Sequence, residues 1–225
     1  MLAVEGRNDR INLCDRCIRD LTELNFRACR RCARPLHLAA KEGSEDCANC
    51  RGKRVRFERT YAIGVYAGVL REVVLQMKRS TGESLTLAMG SLLGSQLLRE
   101  IEVPPDYVVA VPSHWTRRLQ REVNCAEVLV ESVTRKIGVP AATRLIRCRR
   151  NTRKQGTLLP DERLANVRGA YRVSTGYAIS GAKVLLVDDV MTTGATANEI
   201  AKILRRAGVA TVEVAVVARG IGFDR

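Results

Sequence analysis

Long apolar runs are missing from this chain. No stretch approaches the roughly 18 residues that a helical membrane span needs, so no such span is expected. The opening Met1-Leu-Ala-Val-Glu-Gly lacks the apolar h-region of a secretory signal, which makes a cytoplasmic protein the expectation. Aromatic residues are scarce at 4%. Only Tyr171 and Tyr177 accompany the most basic segment, so base stacking is poorly supported as a way of holding nucleic acid. Histidine is nearly absent, and His37 is the only one near the cysteines, where it reads as a surface residue. Acids fall short of bases, 24 against 38, giving a formal charge of +14 and a pI near 9.9. Such an excess favours anionic partners, phosphates or nucleic acid. No internal repeat of solenoid length is present.

Cysteine is plentiful and unevenly placed. Six of the eight lie in the first 50 residues as Cys-x-x-Cys pairs, Cys14/Cys17, Cys29/Cys32 and Cys47/Cys50. Each pair forms a knuckle with two thiolates, and two knuckles make a tetrahedral four-sulfur site suited to structural Zn²⁺. Fourteen residues separate Cys32 from Cys47, a ribbon-like spacing that favours Cys29, Cys32, Cys47 and Cys50 as ligands. Cys14 and Cys17 with Cys29 and Cys32, eleven residues apart, are the alternative. A polar segment of this length has too few large apolar residues to fold without such a staple. Cys125 and Cys148 stand alone and read as packed thiols. At 225 residues and 46% apolar content, the chain accommodates a small Cys-rich unit, expected over 1–56, and one α/β domain over 57–225.

The most informative stretch is residues 184–196. Val184 to Val187 is a continuous apolar run, the pattern of a parallel strand covered on both faces. It meets two carboxylates, Asp188 and Asp189. Thr192, Thr193 and Gly194 follow, then a helical pattern from Ala195 through Thr196 to Arg206. Free N–H groups at a helix N-terminus make an anion site. Adjacent acids beside a phosphate-sized nest suit a sugar phosphate, the carboxylates taking ribose hydroxyls and the amides a 5-phosphate.

Elsewhere strands and helices alternate. Strands are expected at 61–67, 107–111, 143–146, 171–173, 184–187 and 211–217. Helices are expected at 68–78, 85–100, 124–137 and 195–207. Alternation means a mostly parallel sheet flanked by helices, with ligands at the strands' carboxyl ends. Two basic segments are then candidates. One is the loop 112–122 with Pro112, Ser113, Arg117, Arg118 and Arg121. The other is 144–172, with nine Lys/Arg (Arg144, Arg147, Arg149, Arg150, Arg153, Lys154, Arg163, Arg168 and Arg172) against Asp161 and Glu162. This second segment reads either as a lid over the ligand or as a groove for single-stranded nucleic acid, and residues 148–168 within it, carrying Gln155, as a long mobile loop.

The 184–196 segment resembles the phosphoribosyl-pyrophosphate (PRPP) signature of type I phosphoribosyltransferases. Cys pairs preceding such a domain resemble the ComF family, including its GntX-like members. Leu75-Gln-Met-Lys78 is similar to the family's Leu-Lys turn, Val109-Ala-Val-Pro112 to its Val-Pro loop, and Gln155, Arg163 and Asn166-Val-Arg-Gly-Ala-Tyr171 to its Gln…Arg…Asn-Val block. Many relatives read Arg-Gly-Phe-Asn-Gln after the Val-Pro loop, where this chain has Arg121-Glu-Val-Asn124-Cys125. The resemblance implies a type I phosphoribosyltransferase fold. It also implies PRPP bound with Mg²⁺ at Asp188, Asp189 and 192–196, and pyrophosphate gripped by the 112–121 loop. A role in importing or using external DNA follows from it too, with single-stranded DNA and uptake proteins as possible partners.

Overall fold

In the computed structural model Val184, Leu185, Leu186 and Val187 are each 0% exposed, and they alternate between two separate cores. Val184 and Leu186 point into one, Leu185 and Val187 into the other. A strand apolar on both faces needs cover on both sides, and this demand organises the molecule. The structure describes residues 4–7, 10–22, 27–36, 47–48, 50–51, 55–112, 124–150, 152 and 160–221.

The chain opens with an antiparallel hairpin, β1 (Val4–Arg7) and β2 (Arg10–Leu13), and a short helix α1 (Asp15–Thr22). The α/β part runs β3 (Arg59–Val65), α2 (Gly68–Met77), α3 (Glu83–Glu100), β4 (Tyr107–Ala110) and α4 (Cys125–Ile137). It continues with β5 (Ile146–Cys148), α5 (Pro160–Val167), β6 (Tyr171–Val173), β7 (Lys183–Met191), α6 (Ala195–Arg206) and β8 (Thr211–Arg219). The central sheet has the order β3-β8-β7-β4, every pair parallel.

Helices α2, α3 and α4 cover one face. The expected stripe of α2, Leu70, Val73, Val74 and Met77, is buried there. Asn124 caps α4 by accepting from the Ala126 N–H at 3.3 Å. Helix α3 crosses α4 over two glycines. A Cβ on Gly90 would stand 2.7 Å from Ser132 Cβ, and one on Gly94 2.7 Å from Lys136 Cβ. Gly90→Val is therefore expected to force the helices apart and cost about 1–3 kcal/mol, read as a lower urea midpoint at unchanged slope.

Helix α6, the antiparallel β5–β6 pair and the cysteine knuckle cover the other face. The N-terminal stretch contributes to both cores. Cys17 and Leu21 of α1 pack with Tyr61 and Ile63 on the α3 side, whereas Cys29, Cys32, Cys47 and Cys50 pack with Phe57 and Met191 on the α6 side.

Two stretches differ from the sequence expectation. The short strand expected at 143–146 lies at 146–148, because Ala142 N–H and Val108 N–H first engage Val108 O and Pro140 O across a bridge to β4. The stretch 148–168, expected as a long mobile loop, contains α5 at 160–167. Val167 and Ala170 bury against α6 at 1% and 0% exposure, which ties the segment down. Residues 151 and 153–159 lie outside the described ones.

Candidate functional site

The acids Asp188 and Asp189 do not end their strand. β7 continues to Met191 because β8 runs beside it, pairing Asp188 with Val216 and Met191 with Arg219. On the opposite side β4 ends at Ala110, and Val111 N–H makes the last bond to Val187 O at 2.9 Å. Beyond that level Pro112 offers no N–H, and the two carboxylates sit at the open carboxyl end of the sheet, each partly buried.

The backbone helps hold them. Asp188 Oδ1 accepts from the Asp189 N–H at 2.9 Å, and Asp189 Oδ1 from the Val190 N–H at 2.7 Å. Lys78, at the end of α2, places Nζ 2.7 Å from Asp189 Oδ2. Burial pushes the Asp188 carboxyl well above the ordinary range, with the neighbouring Asp189 charge adding to the effect. For Lys78 burial alone acts downward, but the Asp189 carboxylate outweighs it and the ammonium is held above its ordinary value. Among the described residues one cation, Lys78, thus serves the carboxylate pair, in a site rich in hard oxygen acceptors.

Residues 192–194 turn the chain from β7 into α6. Gly194 adopts φ 76°, a left-handed conformation suited to glycine, and Thr193 Oγ1 accepts from the Ala195 N–H at 3.3 Å. Thr193 is exposed, Thr192, Gly194 and Thr196 are partly buried, and Ala195 is buried. The first turn of α6 therefore begins next to the acids, with its N–H groups and the positive end of its dipole at hand.

Of the 112–121 segment, Pro112 leaves the sheet at the level of the acids, while Ser113, Arg117, Arg118 and Arg121 lie outside the described residues. Of the second basic segment, Arg149 N–H donates to Ala170 O at 2.8 Å and Arg150 Nη2 to Asn166 O at 2.8 Å. These two belong to an ordered base, and Arg153, Lys154 and Gln155 lie outside the described residues, as does His37. Arg147 and Arg172 are exposed and stand directly opposite each other in the β5–β6 pair. Tyr171 is 8% exposed and presents no open face for stacking, and Tyr177 is half-buried in a T-shaped contact with Tyr107 at 6.1 Å.

The cysteines resolve as two groups. Cys29, Cys32, Cys47 and Cys50 are all buried, with their sulfurs within 4.8 Å of one another. Cys32 Sγ and Cys47 Sγ are 3.6 Å apart. Zn–S bonds of about 2.3 Å in a tetrahedron put sulfurs about 3.8 Å apart, so the cluster fits Zn²⁺. Bonds shared among the thiols hold Cys29 below the ordinary range, Cys32 acting most strongly, and that same bond pushes Cys32 up to about 11. Cys14 and Cys17 contact each other at 3.3 Å and pack on the opposite face. The structure thus brings together the later two pairs, as the spacing favours. Cys125 is a packed thiol that donates to Met77 O at 3.2 Å.

Sequence patterns miss Arg219. Its Nε donates to Cys32 O at 2.6 Å and its Nη1 to Met191 O at 3.0 Å, with further bonds to Thr192 O and Gly220 O. Ala218-Arg219-Gly220 carries no motif that would single it out.

Residues 124–222 match the phosphoribosyl transferase domain. With the parallel sheet and the cysteine cluster, this defines a type I phosphoribosyltransferase fold bearing an N-terminal zinc-ribbon-like knuckle. The DNA utilization protein YhgH of Salmonella typhi is 30% identical over 212 residues, 92% of this chain and 89% of that protein. Competence protein F of Haemophilus influenzae is 27% identical over 216 residues, 92% of this chain and 90% of that one. The chain belongs to the ComF family. Among solved structures, the glutamine PRPP amidotransferase of B. subtilis is similar with TM-score 0.43 and 22% identity, over 65% of this chain and 30% of that one. The fold assignment stands on the domain match and the strand order.

Proposed function

We propose that this protein binds PRPP together with Mg²⁺ and transfers its ribose 5-phosphate to an acceptor, in the use of external DNA. The observation that carries the reading is the adjacency of Asp188, Asp189 and the Gly194 turn at the open end of β7, with Lys78 on Asp189. Asp188 and Asp189 accept hydrogen bonds from the ribose hydroxyls. The amides of 192–196 and the hydroxyls of Thr192, Thr193 and Thr196 hold the 5-phosphate. Pro112, Ser113, Arg117, Arg118 and Arg121 form the pyrophosphate side, where arginines stabilise charge on the departing group. In this division 1–56 is a zinc-held arm and 57–225 the transferase unit.

The donor set beside the turn is carboxylate oxygen, which suits Mg²⁺ and its waters rather than a softer ion. Asp188 and Asp189 would help hold it, and it supplies neutralising charge to the diphosphate. In the transfer the bond from ribose C1 to the pyrophosphate oxygen breaks, its electron pair leaving with pyrophosphate, and the acceptor bonds to C1. Thr192 is a neutral hydroxyl and does not take a proton from a base at neutral pH, which disfavours a purine acceptor. Mg²⁺-dependent pyrophosphate release from PRPP across a nucleobase panel tests transfer. Activity with one acceptor that Asp189→Ala abolishes supports it; no release with any acceptor contradicts it.

A second reading, a PRPP-sensing or single-stranded-DNA-binding adaptor of DNA uptake, is favoured by Arg147 opposite Arg172. Like charges placed directly across a strand pair repel, and a phosphate backbone would relieve them. Under this reading DNA affinity falls steeply with salt, and Arg147→Ala with Arg172→Ala reduces that slope while leaving PRPP binding intact.

A further inference from the structure

We infer that Arg219 is a positioning residue that couples the four-cysteine knuckle to the phosphate loop, so that metal occupancy and PRPP binding reinforce each other. The inference rests on the PRPP reading of 188–196.

Arg219 is 5% exposed. Among the described residues no carboxylate pairs with it; it reaches Cys32 O and the Cys32 thiol on one side and Met191 O, Thr192 O and Gly220 O on the other. A buried guanidinium without an anion is costly. The four thiols packed beside it supply the missing charge once they hold a metal, since Zn²⁺ bound by four thiolates carries a net charge of about −2. The loaded knuckle thereby fixes the guanidinium, and the guanidinium fixes the carbonyls of Met191 and Thr192, where the chain turns toward the phosphate loop. A second tie runs alongside. Phe57 packs in the core shared with Cys29 and Met191, its Cζ 3.6 Å from where a Cβ on Gly194 would lie. Next to it, Arg56 N–H donates to Asn198 Oδ1 at 2.8 Å at the end of the first turn of α6. The knuckle therefore reaches the loop where it starts, and Arg56 and Phe57, packed in the same core, reach it where it becomes helix. Two sites that share a rigid element bias one another reciprocally.

The test uses the zinc-loaded full chain, with zinc release to a chromophoric chelator as one readout and Mg²⁺-PRPP calorimetry as the other. In the unaltered protein, saturating Mg²⁺-PRPP is expected to slow zinc release about tenfold. Arg219→Lys keeps the charge but cannot span both sets of carbonyls. It is expected to retain stoichiometric zinc, bind PRPP about tenfold more weakly, and lose the protection when saturated with PRPP. Unchanged PRPP affinity in Arg219→Lys, or protection equal to that of the unaltered protein, overturns the inference. Should the variant fail to hold zinc, release from the unaltered protein decides, and PRPP-independent release overturns the coupling. If the unaltered protein does not bind PRPP at all, the site reading fails and the inference falls with it.

Discussion

Asp188→Asn is expected to melt higher than the unaltered protein at neutral pH and to bind Mg²⁺-PRPP about tenfold to a hundredfold less tightly. Both effects come from one carboxyl. Burial, reinforced by the adjacent Asp189 charge, raises its folded pKa well above the ordinary range. In the unfolded chain it ionises near 3.9. Between that pH and the raised folded value the unfolded state releases the proton more readily, so rising pH costs the native state stability. The stabilising contribution is complete below the unfolded pKa and is gone once pH has passed the folded one. Asparagine removes the charge while keeping an oxygen for the Asp189 N–H, which Asp188 Oδ1 accepts at 2.9 Å. An amide cannot replace a charged acceptor for ribose hydroxyls, so stability rises as binding falls, the usual conflict at a functional site. Binding by the unaltered protein should weaken as pH falls through the raised value. Thermal melting and calorimetry between about pH 5 and 8 check both halves. In the Asn variant only the ionisation of the ligand's own phosphate should remain. A variant that melts lower and binds PRPP normally would contradict the assignment.

Removal of the knuckle's metal is the second large effect. Cys29 is 0% exposed, and Cys32, Cys47 and Cys50 are buried with it against Phe57, Met191 and Ala195. The Cys-rich segment brings few large apolar side chains of its own to that core, so a metal joining the four thiols is what holds it. Cys29→Ser, or exhaustive chelation, is expected to abolish zinc binding and cost about 3 kcal/mol or more. For a chain of this size that lowers Tm by roughly 6–12 °C. Cys14→Ser, on the opposite face, should leave zinc content unchanged. Metal analysis with thermal melting checks both variants. Full zinc in Cys29→Ser, or loss of zinc in Cys14→Ser, would contradict the ligand set.

The sheet's centre was legible because its chemistry is local. A run apolar on both faces admits few placements, and Val184 to Val187 fill both cores. The stripe of α2 and the 14-residue spacing between the later Cys pairs were legible for similar reasons, since period and spacing act within one segment. What escaped depended on distant partners. β7 runs past its acids because β8 extends beside it to Arg219. Helix α5 is eight residues in a highly charged stretch, held by the burial of Val167 and, just after the helix, by Glu199 on α6, whose Oε1 accepts from the Gly169 N–H at 3.0 Å. Lys78 was visible only as part of a motif; its place on Asp189 requires the fold of α2 against the sheet. Among the described residues Arg219 bonds to main-chain carbonyls and to the Cys32 thiol across the fold, and no residue pattern records those contacts.

Calorimetric titration of the zinc-loaded protein with PRPP in Mg²⁺, beside ribose 5-phosphate and inorganic phosphate, puts the central claim to its most direct trial. Saturable binding of PRPP, weaker binding of ribose 5-phosphate and loss of both in Asp189→Ala is the predicted result. A cooperatively folding, zinc-replete protein that binds neither sugar phosphate would contradict it.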